Sequence, residues 1–287
     1  VDISPSELLD YLETDQETDV VGVYIEGTSD GKHLLESLKR VAEKKPVVAV
    51  KGGRSIEGSR AVSSHTGALA GRDEVWNAAF RQANVVTVDT LEDLEATLSI
   101  FSKSPRPRSP NTGIIAISGG TSVIYTDLCV ERGLRVPPSS PETVKKLRTL
   151  VRDVGNSVAN PIDLAADYYS DQTMAEVIRV VGADPAFDSI ILQADVHNIH
   201  QVASIMGAAD VVVHLWEIMA KAGGEVVEKE KKPVLVAIPE VAYPEARETA
   251  WQKFVEAGLP VFRNISEAVG ALSRVCKYYE TRSSRKI

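Results

Sequence analysis

The chain has 287 residues, a formal net charge of −8, 44% hydrophobic residues and 25% charged residues. That content suits a globular protein with two domains of ordinary size, and the acidic balance excludes broad electrostatic binding to nucleic acid. No apolar run approaches the roughly 18 residues of a membrane span and no secretory signal is read, so we expect a cytoplasmic protein with no membrane partner.

Taken in chain order, Ser4 or Ser6 predicts the cap of a helix through Leu12, with Pro5 in its first turn. Val20 to Ile25 is a continuous apolar run, expected as a strand buried on both faces. Lys32 to Lys45 is helical, with Leu34, Leu35, Leu38 and Val41 on one face. A strand over 46–50 leads to a stretch of small residues, Ser63-Ser64-His65-Thr66-Gly67-Ala68-Leu69-Ala70-Gly71, read as a loop. A helix over 73–83, a strand over 85–88 and a helix over 91–102 follow. Ser102 to Pro110 holds three prolines among serines and arginines and reads as a linker.

A second series then begins. It predicts a strand over 113–118, a helix opened by Gly119 and Gly120 and running to about Arg132, a short strand 134–136, and a helix 140–150 capped by Ser140. Asn160 to Leu164 is a loop or short extended piece, before a helix 171–182 and a strand 190–194. A long helical region over 201–222, a strand 233–238, a helix 244–257, a strand 260–262 and a helix 266–279 complete the series. Strands of continuous apolar residues alternating with helices mean α/β architecture, with doubly wound parallel sheets covered by helices. The boundaries fall at 1–104 and 111–287. Cys129 and Cys276 are far apart and sit in apolar helical patterns, so both are expected as free core thiols in a reducing compartment.

The two halves read as copies of one unit. Lys44 to Val50 parallels Lys231 to Ala237 at an offset of 187, while Phe80 to Leu98 parallels Phe254 to Leu272 at an offset of 174. The first half therefore carries about 13 extra residues between a strand and the next helix, and that interval contains His65. An insertion at the carboxyl end of a parallel strand sits where such sheets bind ligands. Val21 to Glu26 also parallels Ile190 to Asp195, which puts an acidic residue at each strand end. The second half opens with a strand and the first with a helix. We therefore expect the first domain to be truncated at its N-terminus, with one bare edge on strand 20–25 that something must cover. The start at Val1, running straight into a helix, reads as a chain cut inside a larger polypeptide.

His65 is the leading candidate for chemistry. A neutral imidazole is a nucleophile near neutral pH if its second nitrogen holds its proton against an acceptor. Glu26, at the end of the neighbouring strand, is the expected acceptor; the plain alternative is an exposed strand-end carboxylate. Gly119, Gly120, Thr121 and Ser122 open a helix directly after a strand, so their N–H groups and the helix dipole form an anion site, although close packing alone produces the same pattern. Gly67, Asn160 and Asp163 are further loop positions that could touch a ligand. Lys51 to Arg54 reads as a basic, glycine-containing bend. His33, His197, His200 and His214 lack the spacing of metal ligands, and we assign no metal site. Neither Ser118 nor Ser122 sits in a nucleophile elbow.

YIEG at 24–27, KPVVAVKGGRS at 45–55, SHTGALAG at 64–71, ISGGTS at 117–122 and NPID at 160–163 together resemble the nucleoside-diphosphate-forming acyl-CoA synthetases, relatives of succinyl-CoA synthetase that include the alpha subunits of ADP-forming acetate–CoA ligase. The resemblance covers nearly the whole chain. It implies two flavodoxin-like domains, with His65 as a phosphohistidine, Glu26 as its supporting carboxylate and the Gly119 turn as a phosphate-binding helix start. It also implies CoA, ATP or ADP, and phosphate as substrates rather than as permanently bound cofactors. Mg2+ would come with the nucleotide on an ATP-grasp domain or beta subunit. The family's CoA-binding domain would lie upstream, and the assembly would be an oligomer. The reaction implied interconverts acyl-CoA, ADP and phosphate with a carboxylate, ATP and CoA, and this chain by itself would be incomplete for it. Two rivals stand beside this reading. One is a ligand-sensing or regulatory module of the kind fused to acetyltransferases; the other is a plain small-molecule-binding flavodoxin-like protein, in which the His65 insertion goes unexplained.

Overall fold

The computed structural model describes residues 3–66, 71–152, 154–207, 209–240 and 242–284. It divides into two compact units, Val1–Ser102 with Thr281–Ile287, and Lys103–Glu280.

In the first unit α1 (Pro5–Thr14) begins at a reciprocal cap: Ser4 Oγ accepts from the Glu7 N–H, and the Glu7 carboxylate accepts from the Ser4 N–H at 2.7 Å. There follow β1 (Val21–Ile25), α2 (Gly31–Lys44), β2 (Val47–Lys51), α3 (Ile56–Thr66), α4 (Asp73–Ala83), β3 (Val86–Val88) and α5 (Leu91–Lys103). The strands are parallel in the order β1-β2-β3, with Ile25 beside Lys51 and Val50 beside Val88. Leu9, Leu34, Leu38, Val41 and Phe80 from α1, α2 and α4 cover one face through Val21, Ile25, Val47 and Ala49. Val48, Val50 and Val88 on the other face pack against Leu94, Leu98 and Phe101 of α5.

Two expectations are corrected here. β1 is not buried on both faces: Val21 and Ile25 are buried, but Gly22 is exposed and Tyr24 is 57% exposed. Alternate residues of a strand face opposite sides, and only one side of this edge strand is fully covered. The stretch around His65 is not a loop at its start, because Ser63 to Thr66 form the last turn of α3. Ser55 Oγ accepts from the Gly58 N–H at 3.0 Å and starts that helix, a cap that the glycine- and serine-rich composition concealed.

The second unit contains β4 (Thr112–Ala116), α6 (Gly119–Glu131), α7 (Pro141–Leu150), β5 (Ile162–Asp163), a 3-10 turn (Ala165–Tyr169), α8 (Asp171–Gly182), β6 (Ser189–Gln193), α9 (Val196–Ile205), α10 (Ala209–Glu230), β7 (Val234–Ala237), α11 (Pro244–Glu256), β8 (Val261–Phe262) and α12 (Ile265–Ser284). All five strands are parallel, in the order β5-β4-β6-β7-β8. Its core packs Ile115, Leu192 and Val236 against Met174, Ile178, Trp216, Met219 and Phe254. The long helical region expected over 201–222 is made of two helices, α9 and α10. α9 ends at Ile205 with Met206 as its C-cap, Gly207 follows with a φ of +66° that L side chains rarely adopt, and α10 starts at Ala209. Residues 134–136 form no strand; Arg135 makes one isolated bridge to Asn111. Cys129 and Cys276 are buried free thiols, as expected.

The α/β pattern with two parallel sheets holds, and the internal repeat extends to side chains. Lys45 Nζ donates to the carbonyls of Leu12 and Asp15 at the end of α1. Lys232 Nζ donates to the carbonyls of Gly182 and Asp184 at the end of α8. β6 pairs with β4 as well as β7, whereas β1, its counterpart, pairs only with β2 among the described residues.

Candidate functional site

Glu26 follows the last residue of β1, and its neighbours are set by strand register. The Tyr24 hydroxyl donates to Glu26 Oε1 at 2.7 Å, which raises the phenol's pKa. Lys51, beside Ile25 in the parallel pair, donates through Nζ to the Glu26 carbonyl at 2.7 Å and to the Gly52 carbonyl. A side chain at position 52 would bring its Cβ to 3.0 Å from the Tyr24 hydroxyl and 3.3 Å from Glu26 Cγ, so it would push both side chains aside by a few tenths of an ångström. Lys51 is buried, and burial pushes its pKa down while Asp73 and Glu26 pull it back up. Its ammonium also lies 5.2 Å from the centre of the Trp76 ring. His65 is exposed in the last turn of α3, on the chain that leaves β2. Gly67 lies outside the described residues. Composition marked Lys51 only as part of a basic bend and did not single out Tyr24 or Trp76; the further signal was a lysine closing an otherwise apolar strand.

In the second unit α6 starts directly after β4, at the place where the sheet order reverses between β4 and β6. Ser118 at its N-cap makes no side-chain cap bond. Gly119 and Gly120 are exposed and Thr121 is half-buried. Ser122 is 4% exposed, and its Oγ has no hydrogen-bond partner. The Asp163 carboxylate accepts from the Ala165 N–H at 3.0 Å, and its other oxygen stands 3.0 Å from where a Cβ on Gly119 would lie. Gly119, Ser122, Val123, Asp127, Ser157 and Asp163 are among the residues lining an open cleft of about 380 Å3 along α6. The fold thus brings Asp163 to the Gly119 turn. It does not bring Asn160 there. The Asn160 amide donates to the carbonyls of Thr112 and Pro137 at 3.1 and 2.7 Å and accepts from the Ile114 N–H at 2.9 Å. Asn160 therefore stitches the loop to β4.

The other histidines have ordinary neighbours. His33 Nε2 is 3.0 Å from Asp10, and His197 and His200 lie 5.5 and 4.4 Å from the Tyr243 ring. Among the described residues no group of three or more histidines, cysteines or carboxylates could hold a metal ion. No described helix is long and apolar enough to cross a membrane.

Residues 1–101 match the family described as succinyl-CoA ligase like flavodoxin domain, and residues 112–287 match the Ligase-CoA domain family. Acetate–CoA ligase [ADP-forming] of Methanocaldococcus jannaschii is 37% identical over 166 residues, 58% of this chain and 23% of that protein. Subunit alpha of acetate–CoA ligase [ADP-forming] I of Pyrococcus furiosus is 32% identical over 285 residues, 99% of this chain and 58% of that one. The chain therefore spans less than two thirds of either relative. The structure of Ca. Korarchaeum cryptofilum dinucleotide forming acetyl-coenzyme A synthetase 1, in complex with phosphate and ADP, superposes with a TM-score of 0.80 over 98% of this chain and 57% of that one. At 24% identity that likeness speaks for the fold alone.

Proposed function

Starting from the premise that this chain belongs to the nucleoside-diphosphate-forming acyl-CoA synthetase family, within the succinyl-CoA synthetase superfamily, we propose that it carries the phosphoryl-transfer part of such an enzyme, with His65 as the phosphorylated residue. The observation that carries this reading is α3. Between β7 and α11 no helix intervenes among the described residues, but between β2 and α4 the chain inserts α3, with His65 in its last turn. Such an insertion at the carboxyl end of the central strand has no packing purpose of its own, since of its described side chains only Val62 is buried.

In the direction of ATP synthesis, phosphate displaces CoA from acyl-CoA to give acyl phosphate. A His65 ring nitrogen then attacks phosphorus, the P–O bond to the acyl group breaks, and the carboxylate leaves with the electron pair. The Glu26 carboxylate holds the proton on the other ring nitrogen and stabilises the positive ring. Tyr24 and Lys51 fix the side chain and the carbonyl of Glu26 respectively. In the second unit the Gly119 turn, with Gly119 and Gly120 exposed and Ser122 Oγ unpartnered behind them, is a phosphate-binding helix start. ADP then takes the phosphoryl group from His65 to give ATP. The nucleotide and its Mg2+ belong on an ATP-grasp domain or beta subunit, and CoA on a separate CoA-binding domain. The reading is tested by incubating the full-length protein and its ATP-grasp partner with ATP labelled in the γ-phosphate. We expect an acid-labile label on His65 that His65→Ala abolishes. An acid-stable label, or one that survives the substitution, overturns it.

A further inference from the structure

The segment that carries His65 leaves the first sheet at Lys51 and Gly52 and reaches α4 at Gly71 and Asp73, and these two feet are tied to one another. At the first foot Lys51, 7% exposed, donates to the carbonyls of both Glu26 and Gly52. At the second foot Trp76 packs so closely on Gly71 that a Cβ there would lie 3.0 Å from the indole Nε1, on a backbone with φ +71°. The Lys51 ammonium reaches across to the Trp76 ring at 5.2 Å. Asp73, the first residue of α4, directs charge at the same place. One of its oxygens accepts from Asn77 Nδ2 at 2.7 Å, the other is buried without a hydrogen bond, and the carboxylate acts electrostatically on Lys51. A buried ammonium, an aromatic face and a carboxylate thus meet where the insertion begins and ends, and the same ammonium grips the backbone of Glu26.

We propose that Lys51, with Trp76 as its partner, is the positioning residue for phosphoryl transfer at His65: it clasps the feet of the inserted segment together and locks Glu26 in register with them. This rests on the reading of His65 as the phosphorylated residue. Lys51 touches neither the imidazole nor the phosphoryl group in this role. It acts through the Glu26 carbonyl, the Gly52 carbonyl and the Trp76 ring, three groups that otherwise lie on separate elements. The physical need is plain. An exposed helix with one buried side chain has little of its own to hold it, and transfer to an imidazole requires placement to within a fraction of an ångström. A charged hydrogen-bond donor shielded from water is a stiff fastener, because its bonds are stronger there than in solvent.

The test uses the full-length protein with its nucleotide-binding partner and the substitutions Lys51→Met, Trp76→Leu and Trp76→Phe, with Arg72→Ala as control, an exposed residue at the same foot. Two quantities are read: amide hydrogen exchange over residues 52–66 against that of strands 21–25 and 47–51, and the rate of acid-labile labelling of His65 at saturating ATP together with the KM for ATP. For Lys51→Met and Trp76→Leu we expect exchange over 52–66 to rise at least about tenfold with the strands unchanged. In the same two variants the labelling rate falls roughly 100-fold at unaltered KM. Trp76→Phe, which keeps an aromatic face, stays near wild type in both quantities, as does Arg72→Ala. Exchange over 52–66 that stays at wild-type values in both Lys51→Met and Trp76→Leu overturns the clasp. So does exchange that rises equally in the strands, which marks general destabilisation. Labelling that stays at the wild-type rate while exchange rises overturns the positioning role. Wild-type protein that takes no label at His65 defeats the reading of His65 itself, and the exchange measurement then still judges the clasp.

Discussion

Replacing Lys232 by methionine tests how the second unit is held together. Lys232 is 7% exposed, and its Nζ donates to the carbonyls of Gly182 and Asp184 at 2.8 and 2.7 Å, closing the end of α8 onto the start of β7. Methionine fills the same space without the donors. The Asp184 carbonyl keeps the Phe187 N–H at 3.2 Å, so the Gly182 carbonyl is the one deprived of its donor, at about 1–3 kcal/mol. Removing a buried ammonium returns part of that, leaving a loss of about 1–2 kcal/mol. The pH dependence is separable. Burial holds the Lys232 pKa below the ordinary 10.5, so between the two values the unfolded chain binds more protons at this position than the folded one. Stability therefore rises with pH across that window. Lys232→Met removes this rise, and the gap between wild type and variant widens as the pH approaches 10.5. Trp216 and Trp251 both lie in the second unit, so once Trp76 is changed to Phe the tryptophan fluorescence reports that unit's urea transition. A loss below about 0.5 kcal/mol, within the scatter of surface substitutions, or a gap that stays constant with pH, would refute the reasoning.

Three further outcomes follow from the geometry. Glu26→Gln keeps size and polarity but removes the negative charge that the proposed mechanism uses to stabilise the ring, so the labelling rate of His65 drops by the equivalent of about 2.7–4 kcal/mol while the circular dichroism spectrum is unchanged; wild-type rates would remove Glu26 from the mechanism. Gly182→Ala sets a Cβ 2.4 Å from Val226 Cγ2 between α8 and α10 and should cost about 1–3 kcal/mol in a denaturant melt; pairing it with Val226→Ala should recover part of the loss beyond simple addition, and strict additivity would contradict the packing. Burial pushes both the Cys129 and Cys276 thiols up to about 12, so neither should react with a thiol reagent in native buffer and both should react in urea; fast native labelling of either one would show that its helix opens.

Much of the architecture was legible in the residues. The paired stretches Lys44 to Val50 and Lys231 to Ala237 announced the repeat, and in the structure Lys45 and Lys232 each bind two carbonyls at a helix end. Apolar runs located β2, β4, β6 and β7 because a strand buried on both faces must be apolar throughout. Local composition also marked His65, Glu26 and the Gly119 turn as positions of interest. It misjudged β1, where Gly22 and Tyr24 face the less covered side, and the start of α3, where Ser55 caps a helix in a stretch that reads as loop.

What a residue touches across the fold was a different matter. Asn160 and Asp163 look like equal members of one loop. Yet Asn160 spends its amide on three backbone groups around β4, while Asp163 turns its carboxylate to Gly119. Lys51 reads as one charge in a basic bend, and only the register that sets Ile25 beside it puts its ammonium on the Glu26 carbonyl. The sequence by itself determined the elements, their order and the repeat, because periodicity and capping act over a few neighbouring residues. Tertiary structure alone decided the partners of Glu26, Lys51, Asn160 and Asp163, because those depend on which strand lies beside which and in what register, quantities that arise from the packing of the whole sheet.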